Sequence, residues 1–248
     1  MIAGKYKSSN LNVLVLDHGF VKLRNIGGPT RRLDCHFDGQ DIDPANAARM
    51  SFNQTDSQRT EAQDLGLCDY LMRNWHNTPF EMVEIWLEMK LPIFVARQFV
   101  RHRTVSINEV SGRYVTLPAD WYIPDVVGGK AVSAKQGQED NLPEQVQHQF
   151  RNTLNDHCRA GYAAYLEAMR EGVAPEHARL LLSLNHYTHW LWKQDLHNIL
   201  NFIRLRNHSH AQIEAQVYAQ AVEDLLRTHL PHTMALFDKY RKQEGDHK

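Results

Sequence analysis

The amino-acid sequence predicts an α+β fold in one domain, with a mainly antiparallel sheet flanked by helices. Three observations carry that expectation. Residues 11–17 and 21–23 are β-prone stretches on either side of Asp17-His18-Gly19-Phe20, and they read as two strands around a tight turn. Val83, Ile85, Leu87, Met89 and Leu91 alternate with Glu84, Trp86, Glu88 and Lys90, the period of a strand with one buried face. Val146, Phe150, Leu154, Cys158, Tyr162, Leu166 and Met169 recur at steps of three or four, which predicts a long amphipathic helix over 142–171.

The remaining elements follow in order. Gly27-Gly28-Pro29 marks a loop. Helices are expected over 44–51 and 59–74, the first with Asp43 as N-cap and Pro44 at its first position. Pro92 opens a helix to about residue 103, packing through Ile93, Phe94, Ala96, Phe99 and Val100. Residues 126–141 lack periodicity and are expected to form a mobile loop. Gly172 ends the long helix, and further helices are expected at 175–183, 195–206, 211–229 and 231–241. No internal repeat or linker interrupts residues 1–248, so they are read as one domain.

Composition narrows the function classes. With 42% hydrophobic and 23% charged residues, the 248-residue chain is an ordinary globular one that can bury a core without staples. A formal charge of −1, from 28 basic and 29 acidic residues, argues against a general nucleic-acid coat but permits a local basic pocket. Cys35, Cys68 and Cys158 are scattered, with no Cys-x-x-Cys pair, as expected in a reducing compartment. No apolar run approaches a membrane span and no signal-like segment stands at the N-terminus, so a cytoplasmic protein without membrane or nucleic-acid partners is expected.

The chemistry concentrates between Arg101 and Tyr114, in Arg101-His102-Arg103-Thr104-Val105-Ser106-Ile107-Asn108-Glu109-Val110-Ser111-Gly112-Arg113-Tyr114. A helix end decorated with cations would account for Arg-His-Arg alone. Gln98, Arg101 and Arg113, however, carry planar amide and guanidinium groups suited to pyrimidine edges and phosphates. Ser111-Gly112 offers a hydroxyl and an accessible backbone for a phosphate, and Glu109 places an acid among the bases.

Arg-His-Arg, seven residues and then Ser is also the signature of the flavin-dependent thymidylate synthases, matched here at Arg101, His102, Arg103 and Ser111. Further segments resemble that family in order: His76-Asn77-Thr78-Pro79-Phe80-Glu81, Ala178-Arg179 with Leu182 and Asn185, Asn201-Phe202 with Leu205-Arg206, and Ser209-His210-Ala211-Gln212. The resemblance extends from about Leu11 to Tyr218. This chain departs from the family in two places. Leu182-Ser183 stands where a proline is common, and Asp195-Leu196-His197 stands where many members carry Asn-x-Arg.

The resemblance implies reductive methylation of dUMP to dTMP, with FAD as cofactor and NADPH and methylenetetrahydrofolate as co-substrates. It also implies a homotetramer whose active sites lie between subunits. Carried over residue by residue, it assigns dUMP to Gln98, Phe99, Val100, Arg101, Glu109, Val110, Ser111, Gly112, Arg113, Arg179 and Arg206. Arg206 is further implied to be catalytic, polarising the uracil ring. FAD falls to Thr78, Arg101, His102, Arg103, Glu109, Asp195, Leu196, His197 and Asn201, with His76 near flavin and substrate.

These residues also admit other readings. Thr78-Pro79-Phe80-Glu81 also has the spacing of a capping box. His186-x-x-His189 and His208-x-His210 have ligand-like spacing without the accompanying Glu or Cys pair, so no metal is expected; His210 is expected beside a helix start at Ser209. None of the cysteines lies in a basic motif, which rejects the cysteine-dependent thymidylate synthase. Ser111 lacks an activating partner set and is read as a binding group. The alternatives are a flavin-nucleotide oxidoreductase acting on another substrate and a non-enzymatic nucleotide-binding module.

Overall fold

The computed structural model describes residues 8–9, 11–29, 40–53, 59–130 and 138–242; at 8–9 and 138–140 only the backbone is described. Cys35 lies outside these residues. In chain order the elements are β1 (Ser8–Ser9), β2 (Asn12–Val15), β3 (Gly19–Gly27), α1 (Asp43–Arg49), α2 (Glu61–Arg73), α3 (Thr78–Glu81), β4 (Glu84–Pro92) and α4 (Ile93–Phe99). They continue with β5 (Ser106–Glu109), β6 (Gly128–Lys130), β7 (Gln138–Asn141), α5 (Glu144–Arg170), α6 (Pro175–Ala178), β8 (Tyr187–Asp195), α7 (Leu196–Arg206), α8 (Ile213–His229) and α9 (Pro231–Tyr240).

The main sheet runs β1-β2-β3-β4-β8-β5 with every neighbouring pair antiparallel, as expected of the fold class. The expected hairpin is β2–β3, turned through Leu16 in the left-handed region at φ 58°. Ile85, Leu87, Met89 and Leu91 of β4 are buried, as their alternation requires. Against that face lie α4, α7 and α8, joined by a ring cluster: Phe99 meets Phe202 edge-on at 4.9 Å and Trp192 meets Phe202 at 4.9 Å. Aromatic pairs of this kind add about 0.5–1.5 kcal/mol each beyond their buried area.

Several elements differ from expectation. The interior strand β8 and the edge strand β5 are additions to the expected elements. The helix expected to reach residue 103 ends at Phe99, because the chain must turn back to lay β5 alongside β8. Within 126–141, where a loop is expected, Gly128–Lys130 and Gln138–Asn141 pair as a two-stranded ladder. Residues 175–183 form only the four-residue α6 and a 3₁₀ turn, Arg179–Leu181. Asp43 is the first residue of α1 rather than its N-cap, and its buried carboxylate accepts from the Gln40 N–H at 2.7 Å. The capping box falls at Thr60 and Gln63, opening α2, and not at Thr78. α8 spans Ile213–His229, two residues short of the expected 211–229 and four beyond a start at Ser209.

Candidate active site

The first group of functional side chains gathers where the ends of α4 and α7 meet. Pro92 precedes α4, and the first N–H groups of that helix donate to His186 O (2.9 Å) and Leu184 O (3.0 Å). Val95, Ala96 and Phe99 are buried, which leaves Gln98 at the margin and Arg101 and Arg103 exposed beyond the helix end. Arg206, in the last turn of α7, donates from Nε to His102 Nε2 and from Nη2 to the Gln98 carbonyl, both at 3.0 Å. The His102 ring rests edge-on against Phe202. Burial, then the neighbouring Arg206 charge, push the His102 pKa down to about 4. Burial also lowers Arg206 from the usual arginine range, though a guanidinium remains a cation in proteins. The result is a neutral imidazole beside a fixed positive charge.

A second group lines a cavity of about 580 Å³. Glu109, Val110, Ser111, Gly112, Arg113 and Arg179 all face it, while Gln98, Arg101, His102, Arg103 and Arg206 do not. Position 112 is closely approached: a Cβ there would press on Leu117 Cδ1 at 3.0 Å and meet Arg179 Cδ at an ordinary 3.5 Å. Ser111 Oγ accepts from the Arg113 N–H at 3.3 Å, and Thr188 donates its hydroxyl to the Glu109 carboxylate. The scaffold beneath is α5. Tyr165 accepts from the Leu117 N–H at 3.1 Å, and Tyr162 donates to the Leu117 carbonyl at 3.0 Å. Gly161 lets the Arg179–Leu181 turn seat itself on α5, since a Cβ at 161 would lie 2.7 Å from Leu181 O. Arg179 is thereby carried to the rim of the Gly112 backbone.

These two groups belong to one motif, and β5 separates them. Ser106 pairs with Lys193 and Glu109 with Trp190, so the strand carries the chain on the order of 10 Å away from His102 before Ser111 is reached.

A third group runs along the first turns of α7. Asp195 caps the helix, accepting from the Asn198 N–H at 2.9 Å, and His197 and Asn201 follow on one stripe. Burial lowers the His197 pKa. The short α3 packs against α7, bringing Thr78 and the preceding His76 to this side. Thr78 is the first residue of α3 and makes no cap, because Asn77 holds the N-cap position and its Oδ1 accepts from Arg241 instead. The Thr78 side chain is exposed and not committed to capping. His76 is exposed and stacks on Tyr70 at 5.7 Å.

Two expected contacts are redirected by packing. Phe99 and Leu196 are buried in the core at 0% and 1% exposure, so only their backbones can meet a ligand. His210 stands in the turn before α8, its N–H donating to His208 Nδ1 at 3.2 Å. Sequence reasoning passed over Trp75, Arg204 and Arg241, which line a cleft with His197 and Asn201; of these, only Arg204 had a local signal, three residues beyond Asn201. Among the described residues no group of three or more His, Cys, Asp or Glu side chains is arranged to hold a metal ion, and no helix is long and apolar enough to cross a membrane.

This α+β protein thus brings together cationic and amide groups, an accessible glycine backbone and a neutral histidine held by arginine, donor chemistry that suits phosphorylated planar ligands. Comparison with known proteins agrees with that class. Residues 32–232 match the family described as thymidylate synthase complementing protein. The chain is 39% identical over 246 residues to a flavin-dependent thymidylate synthase of Rickettsia typhi, spanning 93% of this chain and 79% of that protein. It is 41% identical over 232 residues to the flavin-dependent thymidylate synthase of Gluconobacter oxydans, spanning 92% and 72%. In fold it is similar to the UMP/dUMP methylase PolB of Streptomyces cacaoi, with a TM-score of 0.77 at 24% identity over 92% of this chain and 98% of that one. The chain belongs to the thymidylate synthase complementing protein family.

Proposed function

We propose that this chain is a flavin-dependent thymidylate synthase converting dUMP, methylenetetrahydrofolate, NADPH and a proton to dTMP, tetrahydrofolate and NADP⁺. The observation that carries the reading is the Arg101–Tyr114 motif, folded so that Arg206 and His102 face one another at one end and Ser111, Gly112 and Arg113 open a cavity at the other. The residues fit a flavin by the chemistry of their donors: the cleft beside α7 is lined by Arg204, Arg241, His197 and Asn201 with Trp75, and its lining contains no carboxylate.

On this reading Arg101, His102 and Arg103 hold FAD together with Thr78, Glu109, Asp195, Leu196, His197 and Asn201, and His76 stands near flavin and substrate. When bound, the flavin supplies the reducing hydride and the folate supplies the one-carbon unit. The protein's part is position and charge. Gln98, Arg101, Glu109, Val110, Ser111, Gly112, Arg113 and Arg179 grip dUMP, the guanidinium groups and the Gly112 backbone taking the phosphate. Arg206 polarises the uracil edge and favours ionisation at N3, because a permanent cation stabilises the negative charge that develops there. Cysteine chemistry has no part: Cys68 is buried, and burial pushes its thiol pKa up to about 12, far from a reactive thiolate.

The separation of the two half-sites within one chain supports a homotetramer in which the Arg206 end of one subunit meets the Ser111 end of another. One cytoplasmic domain performs the reaction without metal, membrane or nucleic acid. The test is NADPH-dependent formation of dTMP from dUMP and methylenetetrahydrofolate by the purified chain, whose absorbance should carry the flavin bands. A colourless protein inactive with added FAD would refute the proposal.

A further inference from the structure

The cleft of about 40 Å³ between the α2–α3 turn, α7 and α9 has an unusual charge arrangement. Its outer edge is held by Arg241, just past α9 and outside the segment matched by the family. That buried guanidinium donates to Met72 O (Nη2, 2.9 Å) and to Asn77 Oδ1 (Nη2, 3.2 Å), and lies 3.5 Å from the Trp75 ring centre. Trp75 is in turn held in the left-handed region at φ 60° and stands about half exposed at the mouth. Arg241 thus closes the turn between α2 and α3 as a rigid wall.

The floor is the stripe His197, Asn201, Arg204 on α7. Steps of four and three place them on one face of the helix. Arg204 is half-buried, and among the described residues its guanidinium makes no ion pair and one hydrogen bond, from Nη2 to Asn201 Oδ1 at 2.8 Å. That bond fixes the Asn201 amide, so its NH₂ is left to donate. Asp195 and Glu81 act electrostatically on His197 from outside the lining, and neither pairs with Arg204 among the described residues. A half-buried cation without an acidic partner among the described residues, beside an oriented amide donor and an exposed indole, suits an anion attached to a flat ring.

We propose that Arg204 is the phosphate anchor of the flavin site, gripping a phosphate of the dinucleotide while Asn201, oriented by it, donates beside it. The proposal rests on the reading that the chain binds FAD. With the core-facing Ile199, Phe202 and Ile203 on the other side of α7, replacing Arg204 leaves the packing of the helix intact.

The experiment measures dissociation constants of FAD and riboflavin, by quenching of flavin fluorescence, for the flavin-stripped full chain and for Arg204→Ala, Arg204→Gln and Arg204→Lys. Riboflavin has the ring without the phosphates. Arg204→Ala and Arg204→Gln should weaken FAD about ten- to hundredfold, the usual worth of a hydrogen bond to a charged group, and leave riboflavin within about twofold. Arg204→Lys should restore part of the FAD affinity, and the salt dependence of FAD binding should flatten in the alanine and glutamine variants. Equal weakening of FAD and riboflavin, or unchanged FAD affinity in a folded Arg204→Gln, overturns the anchor alone. A wild-type chain that takes up no FAD overturns the anchor and the cofactor reading together.

Discussion

Arg206 donates its Nε–H to Nε2 of His102 at 3.0 Å, and because a guanidinium keeps its protons, the imidazole must carry its own hydrogen on Nδ1. Arg206 therefore sets the tautomer of His102, while burial first and the Arg206 charge second keep its ring neutral. His102 presents a fixed donor to whatever lies beyond it.

The first prediction follows from that pair. In ¹⁵N-histidine-labelled protein, His102 should be neutral and Nδ1-protonated down to about pH 5, since its pKa is pushed to about 4. An unfolded chain takes up that proton near pH 6.5, so the contribution of His102 to stability is complete above 6.5 and is lost as the pH falls toward 4. Arg206→Gln should raise the midpoint, but only in part, because burial is the larger cause. A wild-type resonance titrating at 6.5, or protonated on Nε2, would contradict the assignment.

Arg206 should also separate the two halves of the reaction. Arg206→Ala is expected to retain FAD and its reduction by NADPH while dTMP formation falls on the order of a hundredfold, about 2–4 kcal/mol for one lost charged donor. Arg206→Lys should rescue partly, keeping the charge without the two-pronged geometry that reaches both His102 and Gln98 O. Flavin reduction and dUMP turnover are measured separately. Near-normal turnover of the alanine variant at saturating dUMP would remove Arg206 from catalysis.

His102→Ala combined with Arg103→Ala should lower FAD affinity by roughly a hundredfold, two charged or fixed donors being lost together. His102 also touches Phe202, so the melting temperature is recorded alongside flavin content. Full flavin occupancy in the folded double variant would move the cradle elsewhere.

Gly112→Ala tests the cavity. The added methyl must push the Leu117 side chain aside by a few tenths of an ångström, which costs about 1 kcal/mol, the low end for overpacking. KM for dUMP should rise roughly tenfold with kcat little changed, the signature of lost ground-state binding. A fall in kcat at constant KM would place Gly112 in the chemistry instead.

A chain without Cys35, Cys68 and Cys158 should still make dTMP. Cys68 and Cys158 are both buried, Cys68 hydrogen-bonding the Asp41 carbonyl and Cys158 meeting Ser183 and Asn185. A folded, flavin-loaded variant that makes no dTMP would return cysteine to the mechanism.

What could be read from the residues depended on whether a signal was local. Strand β4 was legible because Val83, Ile85, Leu87, Met89 and Leu91 alternate cleanly with polar neighbours. Strand β8 was not: Trp190, Leu191 and Trp192 are consecutive apolar residues that blur the period of two, although Leu191 is 42% exposed and the tryptophans are buried. Strand β5 is only Ser106-Ile107-Asn108-Glu109, one apolar residue among three polar ones, too short to show a period of its own, and its pairing is decided by β8. The motif residues were found because their spacing is linear. Their division into two places was not, since it depends on a strand that only the folded sheet reveals. Asn77 misled the reading of Thr78 for a related reason: its side chain answers to Arg241, 164 residues away.

Strand β5 gives the motif spacing its meaning. Of the seven residues between Arg103 and Ser111, four are laddered to β8, and the Val110 N–H donates to His189 O at 2.8 Å. The interval is thus a ruler held straight along its length, and unlike a loop it cannot absorb a change in residue count. Deleting one residue there would shorten it by about 3.4 Å and, because side chains alternate along a strand, turn those beyond the cut to the opposite face. Glu109 would lose Thr188, and Ser111 would point away from Arg179. The number seven is therefore a distance and a handedness written in residues, and a variant of six should fold its sheet while misaligning everything the ruler was set to measure.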